Sequence, residues 1–147
     1  MYKHILIPTD GSEVAEKAVK TGIDYARETG ARVTLFTAVP EYRSPSECDV
    51  RAHKVVSFAD HARNSEVLAR RILAPAVERA RAARLSFDTD YVESNQAWQA
   101  IIDAARRHGC DAIYMSSHAR TGLSRLIHGS QTVEVLTHSD IPTLVVR

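Results

Sequence analysis

No stretch of this sequence approaches the roughly 20 consecutive apolar residues that a membrane-spanning helix needs. The apolar part of Met1-Tyr2-Lys3-His4-Ile5-Leu6-Ile7-Pro8 is far shorter than a signal-peptide core and runs directly into polar turn residues. Charge of one sign is not in excess either: 19 Lys and Arg against 18 Asp and Glu leave a formal net charge of +1. No global field therefore draws the chain onto nucleic acid or anionic lipid, and a charged ligand must be held locally. Cysteine is scarce, with Cys48 in a polar loop and Cys110 just before an apolar run. Their spacing suits neither a zinc knuckle nor a redox pair, so free thiols in a reducing cytoplasm are expected. Cys48, His53 and His61 share one polar segment but match no zinc pattern. There is no Walker lysine motif. His118 and His128 have no G-x-S-x-G signature beside them to make either a base for a serine nucleophile. Internal repeats, low-complexity tracts and linkers are also missing, so the 147 residues read as one domain, 1–147, around one core.

What is present is an alternation of strand and helix patterns. Lys3 to Thr9 is an apolar run closed by Pro8-Thr9-Asp10-Gly11-Ser12, a buried strand and its turn. Ser12 can cap the following helix, with Glu13 and Glu16 at its positive end, an apolar stripe through Ala15, Ala18, Val19, Gly22, Ile23 and Ala26, and a stop at Gly30. Arg32 to Val39 is β-rich and ends at Pro40, completing a βαβ unit with parallel strands. Residues 40 to 58 read as a long irregular loop, of a length that in compact domains usually carries function or motion.

Val67, Leu68, Ile72, Leu73, Ala76, Val77 and Ala80 then mark a helix that Pro75 should bend. Leu85 to Val92 alternates as a strand covered on one face. Ser94 or Asn95 is placed to cap a helix through Ala97, Trp98, Ile101, Ile102 and Ala105, which Gly109 ends. Trp98 at that spacing reads as core. Ala112 to Met115 is a short strand, Ser116 to His128 a polar loop, Ser130 to His138 a last helix, and Pro142 opens a terminal strand through Val146. The pattern predicts an open, doubly wound α/β sheet of five parallel strands with helices on both faces; a βα barrel would need about 250 residues.

Ligands of such sheets sit beyond the carboxyl ends of the strands, where strand order reverses. Two polar loops lie there. In the first, Asp10 either accepts hydrogen bonds from a ribose or an adenine amine, or simply orders its own turn. In the second, Gly129-Ser130 opens a helix and offers N–H groups and a hydroxyl to an anion, or Ser130 is only an N-cap.

The opening I-L-I-P-T-D-G-S-E-V-A-E-K-A-V, the strand end at Ala38-Val39, the A-A-R-R-H-G-C-D-A-I-Y-M segment and the stretch from Gly129-Ser130 to Leu144-Val145-Val146, in this order and spacing, resemble the universal stress protein family along essentially the whole chain. The resemblance implies strand order 3-2-1-4-5, with Asp10 beside Ser116 at the switch point. It also implies a nucleoside pocket of Pro8, Thr9, Asp10 and the backbone near Ala38. Met115, Ser116, Ala119, Gly129, Ser130, Gln131 and Thr132 would surround a triphosphate, with His118, Arg120 and Arg125 in the same loop. ATP-binding members carry glycine, two residues, glycine, nine residues, then glycine with serine or threonine. Here those positions hold Ser116, Ala119, Gly129 and Ser130, so two glycines are replaced. An alanine forced into the left-handed region costs roughly 1–2 kcal/mol, about ten-fold in affinity or more. The expected ligand is ATP, bound weakly, with AMP or ADP also possible.

The resemblance implies a regulatory nucleotide-binding module rather than an enzyme, dimeric through the C-terminal strand, which would be an uncovered sheet edge. The alternative is a dimer that has lost the nucleotide and works through protein contacts. An ATP-pyrophosphatase, which shares a similar sheet, would call for S-G-G-x-D-S after the first strand, and this chain has Thr9-Asp10-Gly11-Ser12.

Overall fold

The computed structural model describes residues 1–117 and 129–147. Five strands, β1 (His4–Pro8), β2 (Arg32–Val39), β3 (Phe87–Glu93), β4 (Ala112–Ser116) and β5 (Thr143–Val146), form one sheet in the order β3-β2-β1-β4-β5. All four pairings are parallel. The strands alternate with α1 (Glu13–Thr29), a short α2 (Glu47–Arg51), α3 (Phe58–Ala82), α4 (Ala97–Arg107) and α5 (Gly129–His138).

The period-two geometry of a strand divides β1 and β2 between two cores. Ile5, Ile7, Val33 and Leu35 pack with Val19, Ile23 and Ala26 of α1 and Leu73, Ala76 and Ala80 of α3. Leu6 and Phe36 face the other way, joining Ile113 and Met115 of β4 against Ala100 to Ala105 of α4 and Val135 of α5. The centre of the sheet is therefore covered on both sides, which is why its strands read as unbroken apolar runs. Gly22 sets how closely α1 lies on the sheet: a Cβ there would stand 2.7 Å from Ile7 Cδ1 and 3.2 Å from Tyr114 Cδ1.

The α1 caps are those the sequence predicts. Ser12 Oγ accepts from the Ala15 N–H at 3.2 Å, and Gly30 ends the helix in the left-handed region at φ +74°. Four local expectations need correction. The 40–58 segment is not wholly irregular, because Ser46 and Asp49 form a capping box that starts α2. α3 begins at Phe58, well ahead of Val67, where Ser57 caps it through the Asp60 N–H, and it runs on through Pro75. β3 begins at Phe87, because Leu85 still donates to the Ala80 carbonyl behind a left-handed Arg84 at φ +56°. Neither Ser94 nor Asn95 caps α4: its N-cap is Gln96, which makes no side-chain cap bond. Ser94 Oγ accepts from the Gln96 N–H, and Asn95 Oδ1 accepts from the Glu41 N–H.

Candidate functional site

Where β1 ends, the chain enters its turn through two side-chain bonds. Thr9 Oγ1 accepts from the Gly11 N–H at 3.1 Å, and Asp10 Oδ1 accepts from the Ser12 N–H at 2.9 Å. Gly11 takes φ +79°, which a side chain would strain. Thr9 is also tied to β2, its N–H donating to the Phe36 carbonyl. Asp10 is exposed at the tip, so the turn uses one carboxylate oxygen and leaves the other accessible.

On the far side of the switch point, β4 ends at Ser116, whose carbonyl accepts from Thr132 Oγ1 of α5 at 3.0 Å in a buried bond. Among the described non-glycine residues only His53 and Arg84 have positive φ. Ser116 therefore lies in ordinary strand backbone, where glycine is not needed for its conformation. What a serine changes here is the presence of a Cβ and a hydroxyl.

These ends surround an open cleft. Of the residues singled out in the sequence, it brings together Pro8, Thr9, Asp10, Ala38, Met115, Ser116, Gln131 and Thr132. Gly129 and Ser130 open α5 beside it in sequence. His118, Ala119 and Arg120, like Arg125 and His128, lie outside the described residues.

The cleft has further walls that sequence reasoning did not name: Ala15, Phe36, Thr37, Ala97 and Ile101. Three small alanines, Ala15, Ala38 and Ala97, line the cleft with the larger apolar side chains of Phe36 and Ile101, a lining suited to a flat apolar ring. Thr37 had a signal in the sequence, as a hydroxyl within the apolar run of β2. Its Oγ1 is buried and finds no hydrogen-bond partner among the described residues, a costly arrangement for a polar atom beside a ligand cleft.

The electrostatics come from backbone as much as from side chains. Ala15, Ala97 and Gln131 place the first turns of α1, α4 and α5 against the cleft, and each brings the positive end of its helix dipole. Gln131, expected at the triphosphate, has a structural bond as well: its Oε1 accepts from the Trp98 N–H at 2.8 Å, supplying the cap that α4 lacks. Trp98 packs against the α4 core and stacks on His138, ring centroids 4.7 Å apart.

Cys110 is buried, and burial pushes its thiol up to about 11, so it is no nucleophile at neutral pH. Cys48 is exposed. Among the described residues no group of three or more His, Cys, Asp or Glu side chains could hold a metal ion, and no helix is long and apolar enough to cross a membrane.

Comparison with known proteins agrees with this architecture. Universal stress protein MJ0531 of Methanocaldococcus jannaschii is 29% identical over 150 residues, spanning 100% of this chain and 83% of that protein. The solved structure of hypothetical protein MJ0577, from the same organism, superposes with a TM-score of 0.75 at 27% identity, over 99% of this chain and 96% of that one. The universal stress protein from Archaeoglobus fulgidus in complex with dAMP superposes with a TM-score of 0.68 at 18% identity, over 99% and 98%, a likeness of fold. The family model described as "Universal stress protein family" matches residues 1–147. With that match along its length and the β3-β2-β1-β4-β5 sheet beneath it, the chain belongs to the universal stress protein family.

Proposed function

We propose that this chain is a single-domain regulatory module of the cytoplasm, without enzymatic turnover, that binds an adenine nucleotide in the cleft at the switch point. The observation that carries the reading is the convergence of Pro8, Thr9, Asp10, Ala38, Met115, Ser116, Gln131 and Thr132 on one cleft. An apolar slot next to an acceptor carboxylate and three helix N-termini suits a base, a ribose and a phosphate in turn. The dAMP complex of the Archaeoglobus fulgidus protein supports the ligand class. With Ser116 and Ala119 at two glycine positions of the ATP-binding pattern, the phosphate loop is altered, and ATP binds more weakly than an intact loop would allow. AMP and ADP, which ask less of that loop, are accommodated as well.

The module works as a homodimer joined along β5. The bonds from Ile113 N–H to the Pro142 carbonyl and from Ser117 N–H to the Val146 carbonyl fix which β5 groups face β4. By alternation, Thr143 and Val145 turn their N–H and C=O groups to the open edge, where a second copy can pair. The replaced glycines favour one other reading, a dimer that keeps the fold and acts by protein contacts without nucleotide. Isothermal titration calorimetry with adenosine, AMP, ADP and ATP separates the two. Saturable binding of adenosine and its phosphates is expected, and no heat from any of them at millimolar concentration would sink the nucleotide reading in favour of the second.

A further inference from the structure

The carboxamide of Gln131 is oriented by chemistry. A backbone N–H can be met only by the oxygen end of an amide, and the Trp98 N–H holds Oε1 at 2.8 Å. The other end, Nε2, carries two N–H groups and has only donors to offer. It finds no acceptor among the described residues, and Gln131 is a half-buried wall of the cleft.

Among the described lining residues Gln131 carries the one side-chain N–H donor. Asp10 is an acceptor, the Thr132 hydroxyl already donates to the Ser116 carbonyl, and the other side-chain donors are the hydroxyls of Thr9, Thr37 and Ser116. Among the described lining residues there is no lysine or arginine. Gln131 also stands in the first turn of α5 and bonds to the first turn of α4, so its donor end lies where two helix dipoles favour negative charge.

We propose that Gln131 is a specificity-determining residue that reads phosphorylation of the nucleoside. Nε2 donates to a phosphoryl oxygen while Oε1 stays on Trp98, so the site prefers a nucleoside monophosphate over the bare nucleoside through a neutral donor. The same side chain ties α4 to α5, so the phosphate contact is built on a fixed platform. This proposal rests on the nucleotide-binding reading given above.

The test exploits an isosteric change. In Gln131→Glu a carboxylate oxygen still accepts from the Trp98 N–H, at a helix end that favours negative charge, so the melting temperature should hold or rise. The donor end becomes an anionic acceptor facing phosphate. Calorimetry should then show adenosine affinity within about two-fold of the unmodified chain and AMP affinity lower by at least about ten-fold, an AMP-to-adenosine preference shifted by one order of magnitude. Gln131→Leu, which lacks both ends, should melt lower and bring that preference toward parity, and it decides the matter if the glutamate variant does not fold.

Unchanged AMP affinity in Gln131→Glu, with normal binding by the unmodified chain, overturns the role of Gln131 and leaves the nucleotide site standing. Equal losses for adenosine and AMP overturn it too, because the residue would then act only through the scaffold. If the unmodified chain binds neither compound, the nucleotide reading itself falls and this proposal falls with it.

Discussion

Replacing Asp10 by asparagine separates the two roles this carboxylate can play. Asp10 Oδ1 holds the Ser12 N–H at 2.9 Å, and an asparagine Oδ1 can accept the same bond, so the turn before α1 survives. What is lost is the charge and the second acceptor, which lies exposed at the cleft and is spent on nothing else in the turn. If that oxygen receives ribose or adenine donors, its replacement by an NH2 group removes hydrogen bonds to a charged acceptor. Such bonds contribute about 1.5–3 kcal/mol, or roughly 10- to 150-fold in Kd.

Adenosine is the right probe, because it carries no phosphate whose repulsion by Asp10 would be relieved in the same variant. The loss for ATP should be smaller for that reason. Asp10→Ala provides the control: it removes the turn bond as well, at a cost of up to about 1 kcal/mol, which lowers Tm by about 2–4 °C in a chain of this size. Calorimetry on both variants, with thermal denaturation alongside, gives the comparison. An Asp10→Asn protein that binds adenosine within two-fold of the unmodified chain would refute the reasoning and reduce Asp10 to a turn residue.

Val145→Pro should abolish the dimer without unfolding the protomer, since proline is tolerated where a strand N–H faces the open edge; light scattering at micromolar concentration should show a dimer becoming a monomer with unchanged circular dichroism, and a variant that stays dimeric would rule β5 out as the joint. Asp90 gives a pH dependence of definite sign. Burial pushes its carboxyl up, but Arg107 and His108 outweigh that and hold it below its ordinary value. Its contribution to stability is therefore complete above the usual aspartate value of about 3.9 and is lost as pH falls through the lowered value. The difference in urea midpoint between the unmodified chain and Asp90→Asn should thus be full at about pH 5 and shrink below about pH 4; a gap still undiminished at about pH 2 would contradict the assignment.

The parts of this fold that a reader of the sequence can place are those whose cause is local. Ile5, Leu6 and Ile7 are apolar in a row because β1 is covered on both faces, and Ser12 and Gly30 do at the ends of α1 what their residue types do in most helices. α2 escapes notice because none of its residues is buried, so there is no apolar period to find, although the Ser46–Asp49 capping box was a visible clue. The start of α3 is hidden for a related reason: Phe58, Ala59 and Asp60 are all exposed, and its stripe begins only further on.

The cap of α4 was out of reach altogether. Ser94 and Asn95 are the right residue types at the right place, yet the Trp98 N–H is met by Gln131, from another helix. In the cleft, Thr9, Asp10 and Ser116 follow from standing at strand ends and from the family pattern. Ala15, Ala97 and Ile101 belong to it only because helices packed on opposite faces of the sheet meet above its edge.

The position of β1 has a consequence for how the chain comes off the ribosome. Its pairing with β2 can form early, but its other neighbour is β4, and the Lys3 and His4 N–H groups are held by Asp111, across sequence separations of 108 and 107 residues. At about 5–20 residues per second, translation needs roughly 5–20 s to supply that partner. In the interval, α1 and α3 can close one side of the nascent sheet, while Leu6 and Phe36 stay bare on the other until α4 and α5 emerge. A nascent chain that pairs β1 with β2 early would therefore carry one uncovered apolar face, with β1 open along one side, until the C-terminal elements are made.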